Sequence, residues 1–264
     1  MKKIPGILVL LLLAACHNND QQQVTKDSTT AVQENAMKEA INAHPDSMIL
    51  KENLVQYYRD SGDYGKALAV IDTAIKKDAA DPRLWEIRAN LQAEDEDTAN
   101  AIRSYEKAVS LSAEPRIMMS LGALYAQTKN PKAIEIADAL TSNNPASTAK
   151  QGLFIKGLYY NYNGEENKAL IYFDQCIELD YTYMLAYREK GIALYDLGKY
   201  DQALAVLNKA VTLQNSFDEG YYWMGRCLEK LNRKDDAVAN YQKALQYDPD
   251  YVEAKEALAR LGIK

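Results

Sequence analysis

Small residues return along this chain at a fixed interval, with larger apolar residues set between them at helical spacing. Ala67, Ala101, Ala169, Ala203 and Ala237 stand 34, 68, 34 and 34 residues apart, and Ala133 fills the missing beat two places early. Ala74, Ala108, Cys176, Ala210 and Ala244 run in step, as do Gly157, Gly191 and Gly225. A period of this length predicts a stack of repeats, each a pair of helices that buries its apolar face against its neighbours. Gly62, Gly164 and Gly198 fall where the two helices of a repeat should turn, and a residue able to take positive φ ends a helix well there. The six prolines after the leader (Pro45, Pro82, Pro115, Pro131, Pro145 and Pro249) fall at expected helix ends or turns. The pattern therefore predicts an all-α architecture.

In this register the repeats cover 48–81, 82–114, 115–149, 150–183, 184–217 and 218–251. A half repeat precedes them at 36–47, and a closing helix follows at 252–264. The third repeat is irregular: its turn holds Asn130-Pro131 and has lost a residue, and Ala137 stands where a larger residue is usual.

The residues at Tyr187, Gly191, Leu194, Gly198, Tyr200, Ala203, Leu207 and Ala210 resemble the tetratricopeptide repeat pattern, and the same register recurs in the other repeats over about residues 36–262. The resemblance implies a right-handed α-solenoid whose concave surface, lined by each repeat's first helix, holds a protein or peptide. By register, the earlier repeats bring Glu52, Gln56, Arg59, Arg83, Glu86 and Asn90 to that surface, a polar and partly acidic set. Repeats four to six bring the apolar, aromatic and arginine side chains that make binding anchors. The expected partner-binding groove is Phe154, Leu158, Arg188, Ile192, Tyr195, Tyr222 and Arg226, read as groove rather than packing residues; the alternative is that Phe154, Leu158 and Ile192 pack against a neighbouring helix or the solenoid's own coil. The lysine/asparagine clamp that some members use for C-terminal carboxylates is not visible.

The amino terminus reads as an address. Lys2-Lys3 precedes an apolar run, Ile4 to Leu13, too short to span a bilayer. Leu13-Ala14-Ala15-Cys16 resembles the lipobox of bacterial lipoproteins, which implies cleavage after residue 15, lipidation at Cys16 and attachment to a membrane of the cell envelope. His17 in place of aspartate favours, by the enterobacterial sorting pattern, the outer membrane, on its periplasmic or surface face. Residues 16–35 are nearly devoid of apolar side chains and are expected to be a flexible tether.

Charge and chemistry narrow the function further. The net charge of −6 falls to −8 without the leader, which holds Lys2 and Lys3 and no acids. Nucleic acid needs a basic footprint, so it is not an expected partner. Cys176 and Cys227 lie two repeats apart on different helices, too far for a disulfide, and are expected as buried free thiols. Only His17 and His44 supply imidazoles, and no nucleophile set, metal-ligand spacing or phosphate loop is present. The acidic run Glu94-Asp95-Glu96-Asp97 matches no EF-hand loop and reads as a solvated turn. The sequence thus points to a non-catalytic scaffold without cofactor or metal. The other class it leaves open is a specific assembly factor, such as a type IV pilus pilotin or an outer-membrane assembly lipoprotein.

Overall fold

The computed structural model describes residues 31–143 and 145–263. The leader, Cys16 and most of the expected tether lie outside the described residues. Among those residues there are 14 helices and no strand. Helix α1 spans residues 31–43. Then follow α2 (Met48–Asp60), α3 (Tyr64–Lys77), α4 (Pro82–Glu94), α5 (Thr98–Leu111), α6 (Pro115–Gln127), α7 (Lys132–Asn143) and α8 (Pro145–Tyr162). The series ends with α9 (Glu166–Leu179), α10 (Met184–Asp196), α11 (Tyr200–Leu213), α12 (Asp218–Lys230), α13 (Lys234–Tyr247) and α14 (Val252–Arg260). Even-numbered helices from α2 to α12 are the first helices of repeats. The described helices form two compact units, divided within α5 between Ala101 and Ile102.

Local chemistry fixes the helix starts. Ser47 Oγ accepts from the Leu50 amide at 3.4 Å, Asp63 from Lys66 at 3.1 Å and Asp97 from Asn100 at 3.2 Å. Asp81 accepts from Arg83 at 2.9 Å, with Pro82 as the first helical residue. These side chains satisfy amides that have no partner inside the helix.

One turn recurs between the two helices of every repeat. At its centre stand Gly62, Glu96, Lys129, Gly164, Gly198 and Asn232, all with φ between 57° and 76°. The next residue's amide reaches back to close the helix: Asp63 to Tyr58 O at 2.8 Å, Asp97 to Gln92 O at 2.8 Å, Asn130 to Tyr125 O at 2.8 Å. The geometry is thus kept even where the residue is not glycine, at a cost of about 1–2 kcal/mol for a left-handed L-residue.

Packing between paired helices rests on small residues. Ala169, Ala203 and Ala237 are wholly buried. A β-carbon added at Gly157, Gly191 or Gly225 would lie 2.4 Å from Phe173, 2.7 Å from Leu207 or 2.5 Å from Tyr241. Each glycine is therefore the socket for a large side chain 16 residues later. Cys176 and Cys227 are free and wholly buried. Burial pushes both thiols up to about 12.

The structure departs from the sequence expectation in two places. Helix α1 begins at residue 31, five residues inside the segment expected as tether (16–35). Glu34, in its first turn, accepts from Lys38 Nζ at 2.6 Å and from the Tyr58 hydroxyl at 2.8 Å, which ties that turn to α2. Helix α8 begins at Pro145, before the expected repeat boundary at 149/150, and runs for 18 residues. It packs tightly on the irregular third repeat: a β-carbon at Gly152 would lie 2.4 Å from the Ala137 carbonyl oxygen.

The turn geometry carries a prediction. Glu96→Gly and Lys129→Gly should each stabilise the protein by about 0.5–1 kcal/mol, because relief of left-handed strain exceeds the entropy added to the unfolded chain. Gly198→Ala should destabilise it. Urea unfolding at unchanged m-value reads all three.

Candidate functional site

The expected groove residues all lie in the second unit, on first helices α8, α10 and α12. The structure sorts them into two groups.

Phe154, Leu158 and Tyr222 are core residues, only 3%, 7% and 7% exposed. This corrects the expectation that groove residues are not packing residues. Phe154 sits 6.0 Å from the Phe173 ring and meets Tyr183 edge-on at 5.4 Å. Tyr222 is covered by Tyr251 at 5.0 Å, Trp223 at 5.6 Å and Tyr241 at 5.7 Å. Register places a side chain on a face, but it does not show what covers that face.

Arg188, Ile192, Tyr195 and Arg226 are partly exposed. Arg188 is already committed: Nε donates to Glu189 at 2.9 Å and Nη1 to Glu219 at 2.5 Å. Burial raises the Glu189 carboxyl above its ordinary value, with Arg188 pulling the other way. Arg188 is therefore not the free donor that the sequence suggested.

Arg226 is in a different position. Its Nη1 donates to the Tyr222 hydroxyl at 2.9 Å and its Nη2 to the Tyr195 hydroxyl at 3.2 Å. Its guanidinium lies 5.3 Å from the Tyr195 ring centre, 5.4 Å from Trp223 and 5.8 Å from Tyr222. It forms no ion pair among the described residues. Three rings thus hold a full positive charge in place without neutralising it. Tyr195 in turn packs edge-on against Tyr200 at 5.3 Å and Trp223 at 5.6 Å. The sequence reading missed Trp223, Tyr200 and Tyr251. The signal for Trp223 was present, since it lies three residues before Arg226 and next to Tyr222, on the same helical face.

A polar ladder runs along the first helices. Arg188 reaches Glu219, Arg226 reaches Tyr195, and Arg260 reaches Glu229 at 2.7 Å, each pair 31 residues apart. In the first unit Glu52 and Arg83 show the same separation and pair at 2.7 Å. Arg59 also pairs with Glu94 there. The expected polar surface of the first unit is therefore largely paired with itself, and Glu86 is buried within it.

No group of three or more His, Cys, Asp or Glu residues that could hold a metal occurs among the described residues. No helix among them is long and apolar enough to cross a membrane.

Sequence comparison gives four family matches. Residues 52–116, 151–183 and 218–251 match tetratricopeptide repeats, and residues 191–232 match a TPR repeat. The chain belongs to the tetratricopeptide repeat family. No curated protein matches it in sequence. Among solved structures it is similar to a tetratricopeptide repeat protein from Parabacteroides merdae, at TM-score 0.71 and 20% identity over 92% of this chain and 96% of that one. It is also similar to PilW, a widely conserved type IV pilus biogenesis factor, at TM-score 0.59 and 17% identity over 80% and 99% of the two chains. A third likeness is to the Cut9–Hcn1 hetero-tetramer of APC/C, at TM-score 0.58 and 17% identity over 86% and 46%. These likenesses show the fold, an all-α helical-repeat solenoid. Domains of this family bind protein or peptide partners.

The sorting of the groove predicts how stability divides. Phe154→Ala should cost about 3–5 kcal/mol, as expected for truncating a buried ring. Ile192→Ala, at a partly exposed position, should cost under about 1 kcal/mol. Urea midpoints of the two variants test the division.

Proposed function

We propose that this protein is a membrane-anchored, non-catalytic scaffold of the bacterial cell envelope that holds a partner protein or peptide on the face of α10 and α12. Arg226 is the observation that carries this reading. An arginine clamped by Tyr195, Tyr222 and Trp223, but paired with no carboxylate, is a positioned donor with its charge unspent. Aromatic and arginine side chains dominate the energetics of protein interfaces. Ile192 and Tyr195 extend the patch with partly exposed apolar surface. Buried Tyr222 holds Arg226 through its hydroxyl, and Arg188 ties α10 to α12 through Glu219.

The anchor in this proposal is Cys16, lipidated after removal of residues 1–15, with the outer membrane as the favoured site. A second reading is an assembly factor such as a type IV pilus pilotin. Its support is the likeness to PilW over 99% of that chain.

Capture from envelope extracts tests the proposal. Immobilised protein carrying Tyr195→Ala with Arg226→Ala should retain its partner at least tenfold more weakly than the wild type, if each anchor contributes about 1–2 kcal/mol. Glu52→Ala in the first unit is the control and should bind normally. Loss of capture in the control alone would move the site to the first unit. Recovery of pilus components as the retained partner would favour the second reading. In cells, Cys16→Ser should abolish labelling with an acyl-chain analogue, and undiminished labelling would refute the anchor.

A further inference from the structure

A lysine in the first repeat stands where the other repeats place an apolar or aromatic residue. The fourth position of the repeat is Trp85, Met118, Leu153, Tyr187 and Tyr221 in repeats two to six, and Lys51 in repeat one. Lys51 is only 8% exposed. It makes no hydrogen bond or ion pair among the described residues. Its ammonium is not among the fully buried polar atoms, so the stem lies along apolar surface while the charge stays within a ligand's reach.

Lys51 lines a cleft of about 430 Å³ formed by α1, α2 and α3 in the first unit. The apolar lining comes from Ile41, Leu54, Tyr58, Ala69 and Val70. Lys38 and Lys66 also line it, but each already has a carboxylate partner: Glu34 at 2.6 Å and Asp63 at 2.8 Å. The cleft therefore offers one uncompensated positive charge within apolar walls. Its volume falls in the range of small-molecule sites, about 300–1,000 Å³. Of the remaining lining residues, Asn42 and Thr73 carry uncharged polar groups. That is too few to satisfy the backbone of a peptide.

We propose that this cleft binds an amphiphilic monocarboxylate: a single anionic head paired with the Lys51 ammonium, and an unbranched apolar chain lying along Ile41, Leu54 and Val70. The charge balance requires one negative charge, and the walls require a body without polar groups. The site is separate from the aromatic patch around Arg226 and does not depend on that patch binding a partner.

The test is calorimetric titration of the protein with decanoate below its micellar concentration, beside the neutral analogue decanamide. Wild type should bind decanoate at least tenfold more tightly than decanamide. Lys51→Met restores the apolar residue type found at Met118. It should abolish that preference while leaving the thermal unfolding midpoint unchanged or raised. Lys51→Arg keeps the charge and should keep the preference. Absence of decanoate binding by wild type would overturn the proposal. Equal affinity for the two ligands, or undiminished preference in Lys51→Met, would overturn it as well. These last two outcomes would mean that the lysine only covers apolar surface with its stem.

Discussion

In each of repeats four to six, one glycine of the first helix accepts a large side chain from the second. Gly157 takes Phe173, Gly191 takes Leu207 and Gly225 takes Tyr241, and no β-carbon fits at any of the three. The contact sets how closely paired helices approach. The wholly buried Ala169, Ala203 and Ala237 belong to the same packed layer. Close approach then brings the faces of consecutive first helices within side-chain reach, as the ladder from Arg188 to Glu219 and from Arg226 to Tyr195 shows. The aromatic setting of Arg226 follows from that spacing. Tyr241 illustrates the link: the ring that fills the Gly225 socket also packs on Tyr222, and its hydroxyl donates to Glu229.

Much of this was legible in the sequence. The 34-residue period, the turn glycines and the prolines at helix ends located the helix pairs, because they are local or strictly periodic signals. The irregular third repeat was legible as well, through Asn130-Pro131 and Ala137. Its consequence was not. The close contact between Gly152 and Ala137 belongs to a helix that starts at Pro145, and a shift of that kind depends on tertiary packing.

The candidate site was legible only in part. Helical spacing put Phe154, Tyr195, Tyr222 and Arg226 on first-helix faces, but burial is decided by residues distant in sequence. Tyr183 covers Phe154, and Tyr251, from the turn before the closing helix, covers Tyr222. Charge state depends on neighbours in the same way. Arg188 and Arg226 look equivalent in the sequence. Glu219 neutralises the first, and tyrosyl hydroxyls merely hold the second. Lys51 shows the converse, since its departure from the apolar pattern is visible in the sequence but gains meaning only from the cleft it lines.

The glycine socket is tested most directly by equilibrium urea unfolding of Gly225→Ala. In an ordinary helix interior this substitution stabilises by about 1 kcal/mol through backbone propensity. Here the added methyl would sit 2.5 Å from the Tyr241 ring, which is itself fully buried. Overpacking of that kind costs about 1–3 kcal/mol. A net loss of stability with an unchanged m-value is expected. A net gain would contradict it, because the ring would then be free to move aside and the glycine would not be setting the helix spacing.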